Sequence, residues 1–197
     1  LAKPAVETGV DRVWRMALAR AARDELQLAL AVTDLSVTTA SLAEVLERMP
    51  EHALLSLLEG PTGGMGLIAL SPDVLAAMTE VQTTGFVSDR PTPIHKPTRT
   101  DAALVADLID LALQGLEGGL AADPDLPWAG GFRYHSFLPD PRPLALLLED
   151  FGYRILMAQV SLGDAAKRGE VMLVLPAIGR GKQPDIVAEV DEGFADR

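Results

Sequence analysis

At 197 residues, with 48% apolar and 23% charged content, the chain suits one globular α/β domain with or without a tail, and it is too apolar to be disordered throughout. A net charge of −11 opposes non-specific attraction to nucleic acid or anionic lipid, and the lack of cysteine removes disulfides, thiol catalysis and cysteine-ligated zinc. No apolar run reaches the roughly 18 residues of a membrane-spanning helix, and no signal-peptide pattern opens the chain.

Leu1 stands where an initiating Met is usual, so a partial or processed chain is expected. Residues 1–7 read as a polar lead, and Thr8 as the cap of a long helix running to about Leu30. Val10, Val13, Trp14, Ala17, Leu18 and Ala21 recur at helical spacing, while Arg12, Arg15, Arg20 and Arg23 form the one markedly cationic face of an acidic chain. Val32 to Thr39 alternates and is rich in β-branched residues, which predicts a strand. Ser41 and Glu44 have the spacing of a capping box for a short helix that Pro50 closes. His52–Leu58 and Met65–Leu70 are apolar runs of strand length joined by a Gly60-Pro-Thr-Gly-Gly turn, hence a hairpin. Ser71-Pro72-Asp73 then opens a helix to about Val81 or Gln82.

Gly85, Pro91, Pro93 and Pro97 make residues 83–97 an irregular crossing. Thr98 with Asp101, or Thr100 alone, caps the next helix, the organising element of the chain. Leu104, Leu108, Leu111 and Ala112, widened by Val105, Ile109 and Leu116, form its apolar face. Asp107, Asp110, Gln114 and Glu117 gather on the other, and Gly118-Gly119 supply a left-handed end. A loop over residues 120–131 precedes strand candidates at 132–138, 144–148 and 154–162. A turn at Gly163 to Gly169 leads to a last strand, Glu170–Leu175, stopped by Pro176. Residues 179–197 read as a tail or linker. The two halves echo each other, each with a long helix and a hairpin strand that ends at proline. That favours one sheet shared by both halves with the long helices packed upon it.

Chemistry is sparse. His52, His95 and His135 are scattered and show no metal-site spacing. Gly60-Pro-Thr-Gly-Gly-Met-Gly66 lacks the Lys-Ser/Thr ending of a phosphate loop and leads into a strand, so no anion cradle is expected. No serine sits in a nucleophile elbow. Asp107 and Asp110 share a helix face, which is routine on an exposed surface.

In their order along the chain, three runs resemble the middle domain of the flagellar motor switch protein FliM, a relative of the CheC-type phosphatases. These are Ala53–Leu75, the helix-to-loop run Glu80-Val-Gln-Thr-Thr-Gly85 with Lys96–Leu104 beyond it, and the closing Gly169–Pro176. The resemblance spans residues 8–178. It implies an α/β/α sandwich with internal pseudo-twofold symmetry, built on a mixed, mostly antiparallel sheet flanked by long helices. It also implies a non-enzymatic role without cofactor or metal, at the cytoplasmic face of the inner membrane. The implied partners are the rotor protein FliG, neighbouring copies in a ring, and a chemotaxis response regulator reached through a further N-terminal peptide. Residues 179–197 would then lead to a C-terminal domain.

In the family FliG is met by a Gly-Gly-x-Gly loop after the helix that precedes the crossing. The matching place here is Thr83, Thr84, Gly85 and Phe86, which keeps one glycine. Ring contacts are expected on the two long helices, at Arg12, Arg15, Asp107, Asp110 and Gln114. The related phosphatases carry Glu-x-x-Asn on these helices, and this chain has Glu25-Leu-Gln-Leu28 and Asp107-Leu-Ile-Asp110. Neither offers the amide, so no phosphatase activity is expected. The alternatives are a CheC-like phosphatase acting on a phosphorylated regulator and a related component of an export apparatus.

Overall fold

The computed structural model describes residues 9–184. In chain order these form α1 (Gly9–Leu26), β1 (Leu30–Ala40), α2 (Leu42–Arg48), β2 (Leu54–Glu59), β3 (Met65–Leu70) and α3 (Pro72–Thr84). There follow α4 (Arg99–Gly119), α5 (Leu126–Ala129), β4 (Arg133–Leu138), α6 (Leu144–Leu147), β5 (Tyr153–Leu162) and β6 (Lys167–Pro176). All six strands lie in one sheet, in the order β1-β5-β6-β3-β2-β4, and every neighbouring pair is antiparallel.

Exchanging β1 with β4, β2 with β5 and β3 with β6 gives the same order read backwards. The internal twofold expected from the sequence therefore passes between β3 and β6, where Ile68 faces Leu173. Under it α1 corresponds to α4, and the short α2 corresponds to α6.

Both faces of the central strands are buried, which is why β2, β3 and β6 read as continuous apolar runs instead of alternating ones. Leu54, Leu58, Ile68, Leu70, Leu173 and Leu175 face the layer of long helices, packing with Trp14, Leu18, Met78, Val105 and Leu116. Leu55, Leu57, Leu67, Met172 and Val174 face the opposite way, beneath Val45 of α2 and Leu144 of α6. The three-layer sandwich holds, with the long helices and the short α5 on one face and α2 and α6 on the other.

Several local readings differ: α3 runs on to Thr84, past the expected end at Val81 or Gln82, and the expected loop at 120–131 contains α5. Leu144–Leu148 is a helical turn instead of a strand. Pro143 begins it at φ −67° and ψ −13°, and Leu144 and Leu148, one turn apart, are buried while Leu146 is 91% exposed. The first helix stops at Leu26 because Gln27, at φ 53°, turns the chain out of it, so β1 starts at Leu30. The turn placed at Gly163 to Gly169 closes at Ala166, and β6 begins at Lys167. Gly118 and Gly119 stay helical, with Leu120 at φ −101° as the cap. The capping boxes of Ser41 with Glu44 and of Thr98 with Asp101 form as read.

Residues 179–184, expected to begin a tail, are held against α5. Gly181 N–H donates to the Pro127 carbonyl at 2.7 Å and Lys182 N–H to that of Gly130 at 2.8 Å. The lead at 1–7, Thr8 and residues 185–197 lie outside the described residues.

Candidate functional site

The crossing between the halves starts at the end of α3. Gly85 caps that helix at φ 83°, a left-handed conformation that a side chain disfavours, and its N–H donates to the Val81 carbonyl at 3.1 Å. Thr83 and Thr84 bend their hydroxyls back to the carbonyls of Thr79 (2.9 Å) and Glu80 (2.8 Å), so both are spent locally. Phe86 is the first side chain past the cap, and it is 63% exposed. It is one of the few large apolar side chains that the described residues leave exposed.

The loop after Phe86 is tied down at both ends. Glu80 accepts the Ser88 N–H at 2.8 Å, and the Thr92 hydroxyl donates to Asp73 at 2.5 Å. Val87 packs so closely under Gly163 that a Cβ on that glycine would stand 2.5 Å from it. The loop thus shares a groove of about 860 Å³ with the turn between β5 and β6, lined by Thr84, Phe86, Pro91, Pro93 and Asp164 among others. Sequence reasoning put Thr83 to Phe86 in the crossing just past the helix, whereas Thr83 and Thr84 form its last turn and Gly85 its cap. It missed the 163–166 turn, because a neighbour almost eighty positions away leaves no local mark.

The two long helices cross at small residues. Gly115 of α4 meets Ala17 of α1, and Gly119 meets Val13, leaving a groove of about 520 Å³ whose walls include Met16, Arg20, Leu111 and Gln114. Arg12, Asp107 and Gln114 are exposed there or nearby. Arg15 and Asp110 are turned inward instead. The Arg15 guanidinium donates to the Val32 carbonyl at 3.0 Å, and Asp110 accepts the Tyr134 N–H at 2.6 Å, which ties α1 to β1 and α4 to β4. A helix wheel alone assigns both to the solvent side, because it does not show where a sheet edge passes.

The phosphatase-like positions also come together. Glu25 and Asp107 line one open groove of about 440 Å³ with Gln27 and Gln82. The Gln82 amide donates to the carbonyls of Met78 and Leu104, both at 3.1 Å. At the two positions where the resemblance would place Asn, this chain has Leu28, buried at 2% exposure, and Asp110, already bonded to Tyr134. A carboxylate there repels a phosphoryl group where an amide would orient a water.

Other titrating groups serve the frame. Arg133, through its hydrogen bond, holds the Glu117 carboxyl below its usual range, and Lys182 adds to this. The Arg142 guanidinium brings Asp140 down to about 2, and burial lifts the Tyr153 phenol to about 12. His135 lies 3.4 Å from Glu59 and His95 lies 3.6 Å from Asp101, in separate places. Among the described residues no three metal-ligating side chains gather, and no helix is long and apolar enough to cross a membrane.

No family model matches the chain, and no curated protein matches it in sequence. Solved structures do match in shape. The FliM middle domain of Vibrio alginolyticus is 12% identical at a TM-score of 0.63, with 85% of this chain and 90% of that one covered. A chain of the FliG–FliM complex from H. pylori is 14% identical at a TM-score of 0.65, covering 88% and 96%. FliY of Thermotoga maritima is 12% identical at 0.60, covering 90% and 93%. The likeness extends over nearly the whole of each chain while few side chains agree, so architecture is what they share. The chain has the fold of the FliM middle domain.

Proposed function

We propose that the chain is a non-enzymatic component of a flagellar motor switch, acting through its surfaces. Thr83 to Phe86 dock a FliG-like rotor protein. The outer sides of α1 and α4, with Arg12, Asp107 and Gln114, meet neighbouring copies in a ring on the cytoplasmic face of the inner membrane. The rotor protein's state passes through the crossing, and a chemotaxis regulator reaches the assembly by another segment. The observation that carries this reading is the exposed Phe86 ring beside the left-handed Gly85, on a loop fixed at both ends, in a fold shared with a chain of the H. pylori FliG–FliM complex.

Titration of a FliG-like middle domain against the wild type and Phe86→Ala tests it. Saturable binding that weakens about tenfold or more in the variant is expected, the usual size for losing an aromatic anchor. Equal affinity removes Phe86 from the contact, and no binding by the wild type removes the partner. Incubation with a phosphorylated response regulator tests the non-enzymatic part. Phosphate release at the regulator's own rate is expected, and catalytic release lost in Glu25→Ala overturns it.

A further inference from the structure

Among the described residues, Lys167 is the sole charged side chain that is buried, at 5% exposure. It opens β6 directly after the 163–166 turn, and its ammonium group is satisfied in a specific way. Nζ donates to the Ser88 carbonyl and to the Arg90 carbonyl, each at 2.7 Å, and lies 3.6 Å from the Glu80 carboxylate. An ammonium has three donors and strong hydration to replace, and here two backbone carbonyls and one carboxylate replace it. Both carbonyls belong to the crossing loop. Glu80, the carboxylate, also receives the Ser88 N–H. One buried side chain therefore joins the end of α3, the loop and the β5–β6 hairpin.

Methionine, unbranched and of similar length, would fill much of the same space without donating a hydrogen bond. What lysine adds is direction, since its ammonium draws the carbonyls of Ser88 and Arg90 toward one point. That arrangement fixes Phe86 and Val87 on one side and Pro91 and Pro93 on the other, around the groove. We propose that Lys167 is a positioning residue of the docking surface, one that holds the crossing loop in its partner-ready shape without touching the partner. The inference rests on the reading of that loop as the FliG-like partner's contact. Without Lys167 the loop samples other shapes, and the apparent dissociation constant rises by the inverse of the fraction still competent.

The test is a double-mutant cycle on affinity for a FliG-like middle domain, using wild type, Lys167→Met, Phe86→Ala and the double variant, with amide exchange of residues 86–93 measured in each. Lys167→Met is expected to weaken binding about tenfold, to speed exchange in 86–93 while the core strands stay protected, and to add its loss to that of Phe86→Ala, since it lowers the competent fraction and not the affinity of the competent loop. A general structural role would instead give faster exchange throughout, core strands included. Thr92→Val loosens the same loop from its far end, outside the core, and is expected to weaken binding severalfold. If Lys167→Met fails to fold, this variant decides, and unchanged binding by it overturns the inference. Wild-type binding that Lys167→Met matches within twofold overturns the inference alone. Failure of the wild type to bind overturns the partner reading and takes the inference with it.

Discussion

Gly118 and Gly119 are neighbours in one helix, yet their surroundings demand opposite things. A Cβ on Gly118 meets nothing within 4 Å, whereas one on Gly119 enters the Val13 side chain, whose β-branch leaves it little freedom to rotate away. Gly118→Ala is expected to stabilise by about 0.5–1 kcal/mol through helix propensity, and Gly119→Ala to destabilise by about 1–3 kcal/mol through overpacking. Urea unfolding of the pair reads both, and equal signs would contradict the helix contact. Ala165 sits at φ 67°, second in a turn whose other central residue, Asp164, is at φ 57°. Such a turn favours glycine there, so Ala165→Gly is expected to raise stability by up to about 1 kcal/mol, seen as a higher melting temperature.

At the scale of elements, the ends of α4 show what can be read locally and what cannot. Its start was legible, because Thr98 and Asp101 make their capping box within three residues. Its end was not. Gly118-Gly119 has the signature of a left-handed stop, but contact with α1 keeps the glycines helical, and that need belongs to another segment. The leucines at 144–148 misled in the same way. An apolar run of five fits a strand or a turn of helix, and only the burial of Leu144 with Leu148 decides.

Glu117, near the end of α4, joins three elements that sequence does not connect, through Arg133 at 2.5 Å and Lys182 at 3.2 Å. Its folded-state pKa lies below the ordinary 4.5. Its stabilisation is therefore complete above that value and lost as pH falls through the folded-state value. Glu117→Gln is expected to cost about 0.5–1 kcal/mol at neutral pH, a figure set by solvent screening. The gap to wild type should close below about pH 4.5 in denaturant midpoints taken across acid pH. A gap that persists at lower pH would show the contribution is not ionic.

For the whole molecule, the symmetric strand order explains why two halves with little in common locally make one sheet. Each lobe's hairpin leaves β3 or β6 with an open edge, and each edge is the other's partner. The sequence disclosed the lobes through their proline-ended hairpin strands. It could not disclose the order β1-β5-β6-β3-β2-β4, since no residue encodes which strand of the other lobe it will meet. The proposed docking surface divides likewise. Gly85 and Phe86 were reached only through the resemblance to the family's Gly-Gly-x-Gly loop, while the hairpin turn across the groove and the pins on the loop emerge only from the closed sheet. The account stands on that loop and turn acting as one docking surface.

Amide exchange of the protein with and without a FliG-like middle domain tests this most directly. Added protection at 83–93 and at 163–166 is the predicted result. Protection centred on the Glu25 and Asp107 groove, or none at either segment while binding saturates, would contradict it.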